Sequence, residues 1–139
     1  MRVKILASGK KPDACYQKLL AHYTKCLSSS ATLEIEYLKN KEAIEKALKK
    51  EPKAICLDAK GQVFDSKEFS ENLIREIESR GAHITLAIGP AEGFGDEVKK
   101  SHTLWSLSTL TLPHHMALLI LTEQVYRAFE IKKGSSYDK

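Results

Sequence analysis

Cysteine is scarce here: Cys15, Cys26 and Cys56 are the only three in 139 residues. Their number is odd, their spacing wide, and no CxxC pair occurs, which speaks against a disulfide framework or a zinc site. No metal is expected, and free thiols of this kind fit a cytoplasmic protein. Long apolar runs are lacking too. MALLILTEQV, from Met116 to Val125, falls well below the ~20 residues a membrane span needs, and it runs into Glu123 and Arg127. The opening MRVKILASGKK is too briefly apolar for a signal peptide. Two nucleotide signatures are also missing. The turn after the first predicted strand reads ASGKKPDA, with one glycine, and no GxxxxGK[ST] occurs. A Rossmann dinucleotide site and a P-loop are therefore excluded. No repeat, linker or low-complexity segment breaks the chain, so residues 1–139 are expected to form a single domain.

Strong charge of either sign is absent as well. The net charge of +4 tolerates a nucleic-acid partner without demanding one. Its distribution is uneven. Arg2, Lys4, Lys10, Lys11, Lys18 and Lys25 face only Asp13 near the start, and Arg127, Lys132 and Lys133 cluster near the end. If the two ends met in space they would form one positive surface; scattered lysines can equally be ordinary solvation.

What is present alternates. Val3–Ala7, Leu33–Leu38, Ala54–Leu57, His83–Ile88 and Leu104–Leu107 read as strands. Asp13–Leu27, Lys41–Lys50, Ser66–Ser79, Asp96–Lys100 and His114–Glu130 read as helices, with Ser66 in the N-cap region of the third and Gly81 closing it. Alternation of this kind predicts an α/β fold, a mostly parallel sheet with helices on both faces. In such sheets ligands sit at the carboxyl ends of the strands. Three turns there compete: Asp58 to Gly61, the GPAEGFG bend from Gly89 to Gly95, and Ser108 to Pro113.

Each turn has a plain reading beside a functional one. Glycines let a ligand approach backbone closely, or simply permit a tight turn. LSTLTLP, from Leu107 to Pro113, offers a row of backbone N–H and C=O groups between leucines. Such a row can read a purine edge while leucines sandwich the ring, or it can be an edge strand stopped by proline. His114 and His115 are adjacent rather than four apart, so a helix cannot turn both toward one metal. Trp105 and the stripe Leu118, Leu119, Thr122, Val125, Tyr126 and Phe129 have the spacing of a core or subunit interface.

The order LDAKG, IGPAEGF, WSLSTLTLPHHMALLILTEQVYRAFEIKKGSSY resembles the bacterial ribosomal large-subunit pseudouridine N3-methyltransferases, the smallest of the trefoil-knotted SPOUT methyltransferases. The resemblance covers essentially the whole chain. It implies a C-terminal trefoil knot, a homodimer with the last helix at the interface, and each tail near its partner's cofactor. It further implies S-adenosyl-L-methionine as cofactor, held by Leu57, Gly89 and Leu107, Ser108, Thr109, Leu110, Thr111 and Leu112. The implied substrate is a pseudouridine in a stem-loop of 23S rRNA on the assembled ribosome, with Tyr137, Asp138 and Arg127 as the catalytic residues.

The chain departs from that family's pattern in two places. Gly89-Pro90 stands where two glycines are usual, so one amide is lost, and Ala91-Glu92-Gly93 stands for Pro-Glu-Gly. The tail reads Ser136-Tyr137-Asp138-Lys139 where the family has Pro-Tyr-His and a basic residue. An aspartate therefore occupies the position of a histidine that could accept a proton or meet phosphate. Two alternatives follow: a non-catalytic ribosome-binding protein that keeps the knotted fold, and a small domain binding another nucleotide through GPAEGFG.

Overall fold

The computed structural model describes residues 1–138; Lys139 lies outside the described residues. The order is β1 (Arg2–Ser8), α1 (Ala14–Leu27), β2 (Thr32–Leu38), α2 (Lys41–Lys49), β3 (Ile55–Val63), α3 (Ser66–Ser79), β4 (His83–Ile88), α4 (Asp96–Ser101), β5 (Thr103–Ser106) and α5 (His114–Lys133). The strands form one sheet in the order β2-β1-β4-β3-β5, and every pairing is parallel. The α/β reading of the sequence is borne out.

Alternation along the strands explains the layers, because successive side chains leave opposite faces. Val3, Ile5 and Ala7 of β1 and Ile84, Leu86 and Ile88 of β4 point to one face, where Leu20 and Leu27 of α1, Leu73 and Ile77 of α3 and Leu118, Leu121 and Val125 of α5 cover them. Leu6, Ala87 and Cys56 point to the other, against Ile44 and Leu48 of α2 and Val98 of α4. Burying each large aliphatic side chain contributes about 1.5–3 kcal/mol. The two faces also account for the strand order. Steps from β1 to β2 and β3 to β4 carry α1 and α3 on one face; the opposite steps, β2 to β3 and β4 to β5, carry α2 and α4 on the other. A single hand of crossover requires this.

Two local expectations are corrected. Asp58 to Gly61 does not end the third strand. Leu57 and Gln62 both pair with Trp105, so the four residues between them bulge out of the ladder before Val63 resumes beside Ser106. Asp58 Oδ2 accepts from the Lys60 amide at 2.9 Å, which is turn chemistry set inside a strand. Gly61 is needed because β5 passes too close: a Cβ there would lie 2.6 Å from backbone atoms of Leu104 and Trp105. The cap of α3 is Asp65 rather than Ser66. Its carboxylate accepts from the Glu68 amide while Glu68 accepts from the Asp65 amide, closing a capping box.

Candidate active site

The register places the three turns side by side. Leu57 pairs with Ile88 on one flank and with Trp105 on the other, so the bulge that follows Leu57, the bend that opens at Gly89 and the segment after Ser106 lie at one level of the sheet. From the sheet edge at β5 the chain crosses the carboxyl end of β3, and His114 opens α5 beside the backbone of Gly89 and Ser8. Leu57 and Gly89 are half-buried, as are Leu107, Ser108 and Leu112, whereas Thr109, Leu110 and Thr111 are exposed.

This crossing segment is held by its own hydroxyls. Ser106 Oγ donates to the Ser108 carbonyl at 2.9 Å, and the Leu110 amide donates to Ser108 Oγ at 3.0 Å. Among the described residues, 107–112 make no backbone-to-backbone hydrogen bond outside regular elements. The hydroxyl-rich run thus leaves a row of backbone groups without backbone partners at the mouth of the sheet, with only the Ser108 carbonyl and the Leu110 amide engaged by side chains. Leu110, 73 % exposed, stands over it. A flat heterocycle with polar edges fits such a row, with leucines for its faces.

The glycine-rich bend is anchored from outside. Glu45 on α2 accepts from the Gly95 amide at 2.7 Å, where α4 begins without a side-chain cap of its own. The carboxylate at that helix start also suits the partial positive charge there. A Cβ on Gly89 would meet the buried Phe94 ring at 2.9–3.1 Å, so this glycine lets the bend fold back on itself. Cys56 behind it is no nucleophile: burial, helped by the charge of Asp58, pushes its thiol up to about 12.

His114 Nε2 is buried without a hydrogen-bond partner among the described residues. Burial first, then the neighbouring His115, holds the ring below its ordinary pKa; the Gly89 and Ser8 backbone pulls the other way. His115 turns aside, with Nε2 3.3 Å from the Lys10 carbonyl and its ring tilted against Tyr16. α1 packs against α5, with the rings of Tyr23 and Tyr126 6.1 Å apart, while Arg127, Lys132 and Lys133 farther along α5 are each paired with carboxylates.

The second group of candidate residues lies elsewhere. Arg127 follows His114 by thirteen residues of one helix, about 20 Å at the rise of an α-helix. After Gly134, in the left-handed conformation at φ 71, the tail folds back along α5. Tyr137 donates its hydroxyl proton to Glu123 Oε2 at 2.8 Å. Arg127 donates to the same oxygen through Nη2 at 2.9 Å, to Asp138 Oδ1 through Nη1 at 2.8 Å, and stacks 4.8 Å from the centre of the Tyr137 ring. Glu123 chiefly holds Arg127 above its ordinary pKa, while burial and then Glu123 hold Tyr137 above its own. Neither is a base near neutral pH. Arg127, Tyr137 and Asp138 are therefore brought together with one another but not with their own chain's strand-end turns.

Two further residues belong to these clusters. Glu123 could have been found from its place four residues before Arg127, the spacing of a helical ion pair. Nothing in the sequence marks Glu45, fifty positions away from its partner.

The family described as predicted SPOUT methyltransferase matches residues 1–138. A protein of Prochlorococcus marinus named ribosomal RNA large subunit methyltransferase H is 42% identical, over 99% of this chain and 96% of its own. Proteins of the same name from Protochlamydia amoebophila and Streptococcus uberis are each 35% identical, covering 100% of this chain and 99% and 100% of their own. The chain belongs to the SPOUT methyltransferase family.

Proposed function

We propose that this protein transfers a methyl group from S-adenosyl-L-methionine to N3 of a pseudouridine in a 23S rRNA stem-loop on the assembled ribosome, in the cytoplasm. The observation that carries the reading is the strand-end crossing: backbone from Leu107 to Leu112 without backbone partners, level with Leu57 and Gly89, in a chain of this family. The residues present fit the cofactor. Backbone of 107–112 offers hydrogen bonds to an adenine edge, the leucines offer apolar faces, and Gly89 keeps the floor close. When bound, the cofactor supplies an activated sulfonium methyl, and the chemistry of transfer is its own. What the protein adds is alignment, for which roughly 7–11 kcal/mol is available in favourable cases.

The other half of the site comes from a second copy of the chain. Tyr137, Asp138 and Arg127 stand about 20 Å along α5 from their own cleft, so a homodimer paired through α5 brings one tail to its partner's cofactor. In this reading Arg127 is the cation for RNA phosphate, Tyr137 contacts the base, and a carboxylate takes the place of the family's tail histidine. The Asp138–Arg127 pair at 2.8 Å also favours a second reading, a ribosome-binding protein without activity, because it neutralises the cation that phosphate would meet.

Calorimetry with S-adenosylhomocysteine tests the cleft, and no heat of binding rejects it. Mass spectrometry of the rRNA stem-loop from cells lacking the protein separates the two readings: an unchanged methyl mark leaves only the second.

A further inference from the structure

The tail cluster has a polarity. A phenol has one proton to donate, and Tyr137 commits its proton to Glu123 Oε2. Its oxygen then has only lone pairs left to offer a ligand. Arg127 donates to both oxygens of Glu123, at 3.3 and 3.2 Å through Nε and 2.9 Å through Nη2, so that carboxylate is fixed as an acceptor and cannot swing away. Gln124 adds a donor to Oε1 at 2.8 Å, and is itself tied to α3 by Ser66 Oγ at 2.8 Å. The edge of Tyr126 against Tyr137, 4.7 Å between ring centres, and the Ser135 hydroxyl accepting from the Tyr137 amide at 3.3 Å fix the ring.

We infer that Glu123 is a positioning residue that makes the Tyr137 oxygen an obligate hydrogen-bond acceptor, so that the site selects a base presenting an imide N–H. The inference rests on the proposed function and deepens it. Uridine and pseudouridine carry a proton on N3 and match an acceptor; on methylation that proton passes to the Tyr137 oxygen and the phenol proton to Glu123 Oε2, whereas a cytosine N3 is itself an acceptor and is refused. Rejection of this kind is strong because the mismatched pair leaves two lone pairs facing each other. The rest of the cluster supports the assignment. Arg127 balances the Glu123 charge, and burial together with Glu123 keeps Tyr137 protonated, so the donor toward Glu123 is present throughout the physiological range.

Glu123→Gln is the sharp test, because it keeps the shape and loses the polarity. Arg127 holds the remaining amide oxygen, and the NH2 group donates to the Tyr137 oxygen, turning the phenol proton outward. Wild-type turnover on ribosomes lacking the methyl mark, and affinity for S-adenosylhomocysteine, are measured in the same series. They report on the proposed function itself; a wild-type chain without turnover overturns both. With an active wild type, Glu123→Gln is expected to lose roughly a hundredfold in kcat with KM changed by less than about threefold, and Tyr137→Phe is expected to match it. The double variant should be no worse than the worse single one.

A second readout does not involve activity. Phenolate absorbance, taken as the difference from Tyr137→Phe, gives the ionisation of Tyr137, whose charged and titratable neighbours are Glu123, Arg127, Tyr126, Asp138 across Arg127 and, from α1, Tyr23. Its midpoint should fall in Glu123→Gln. A Glu123→Gln protein with wild-type kcat, or one in which only KM rises, would show that Glu123 merely orders the tail, and so would an unmoved phenolate midpoint. Those results overturn the proposal while leaving the proposed function standing.

Discussion

At the mouth of the sheet, backbone groups from Leu107 to Leu112 stand without backbone partners and Leu110 is 73 % exposed. At the far end of α5, each guanidinium nitrogen of Arg127 is engaged, and so is the proton of Tyr137. The first region is built from main chain and left open; the second is built from side chains and closed on itself. Main chain carries the same donors and acceptors whatever the residue, so a cleft made from it is insensitive to most side-chain substitutions. Side-chain clusters can be rewired by single substitutions, and the Asp138 carboxylate, 2.8 Å from Arg127 Nη1, is one point where that can happen. The contrast implies that cofactor binding and base recognition fail separately when either region is damaged.

Of the substitutions that set the two regions against each other, Arg127→Ala should show the largest effect. It removes hydrogen bonds to two carboxylates and leaves Glu123 and Asp138 facing each other without a cation. Charged hydrogen bonds are worth about 1.5–3 kcal/mol, so methylation of ribosomal substrate should fall by roughly 10- to 100-fold. S-adenosylhomocysteine affinity, read by calorimetry, should stay within about twofold. The reverse pattern would make Arg127 a structural residue and dissolve the distinction between the regions.

Gly89→Val attacks the other side. The new side chain drives into Phe94, since a Cβ already approaches it to 2.9 Å. Overpacking of about 1–3 kcal/mol displaces the bend and should weaken cofactor binding on the order of tenfold. The tail network should be untouched, as judged by the phenolate titration of Tyr137. Retained cofactor affinity would argue that the bend is a turn and nothing more. Glu45→Ala is the milder version. It frees the Gly95 amide, and a loss of ~1 kcal/mol predicts about fivefold weaker binding. Glu45→Gln keeps an acceptor and should recover most of that loss.

The sequence made the open region legible and the closed one only in part. The unbroken run of apolar residues and Thr from Ile84 to Ile88 marks a strand with two buried faces, and the Pro113 stop marks where the crossing ends. Capping chemistry was legible one residue out of place, at Ser66 rather than Asp65, because both are good cap formers and only Glu68 decides between them. The bulge at Asp58–Gly61 was read as a strand end because Asp and Gly look alike in a turn and in an excursion; only β5 passing at 2.6 Å tells them apart. Glu123 carries only its spacing of four from Arg127 as a signal, because an acidic residue on an amphipathic helix looks solvated until the tail folds back onto it.

His114 gives the smallest prediction, and it tests whether the open region senses protons. Its Nε2 is buried without a partner, and burial, then His115, lowers its pKa from 6.5. Above 6.5 the ring is neutral folded or unfolded and contributes nothing to a pH slope. As the pH falls through 6.5 the unfolded chain takes up the proton first, so stability is lost, and the loss ends once the folded ring is protonated too. The groups facing the ring are His115 and the backbone of Gly89 and Ser8, with Lys10 behind His115. Urea midpoints of the wild type should therefore decline between about pH 7 and pH 5 more steeply than those of His114→Asn, which has no proton to gain there. Because the ring borders Gly89, wild-type affinity for S-adenosylhomocysteine should weaken over the same window. Parallel slopes in the two proteins would mean that His114 is already satisfied in solution and that the cleft is indifferent to acid.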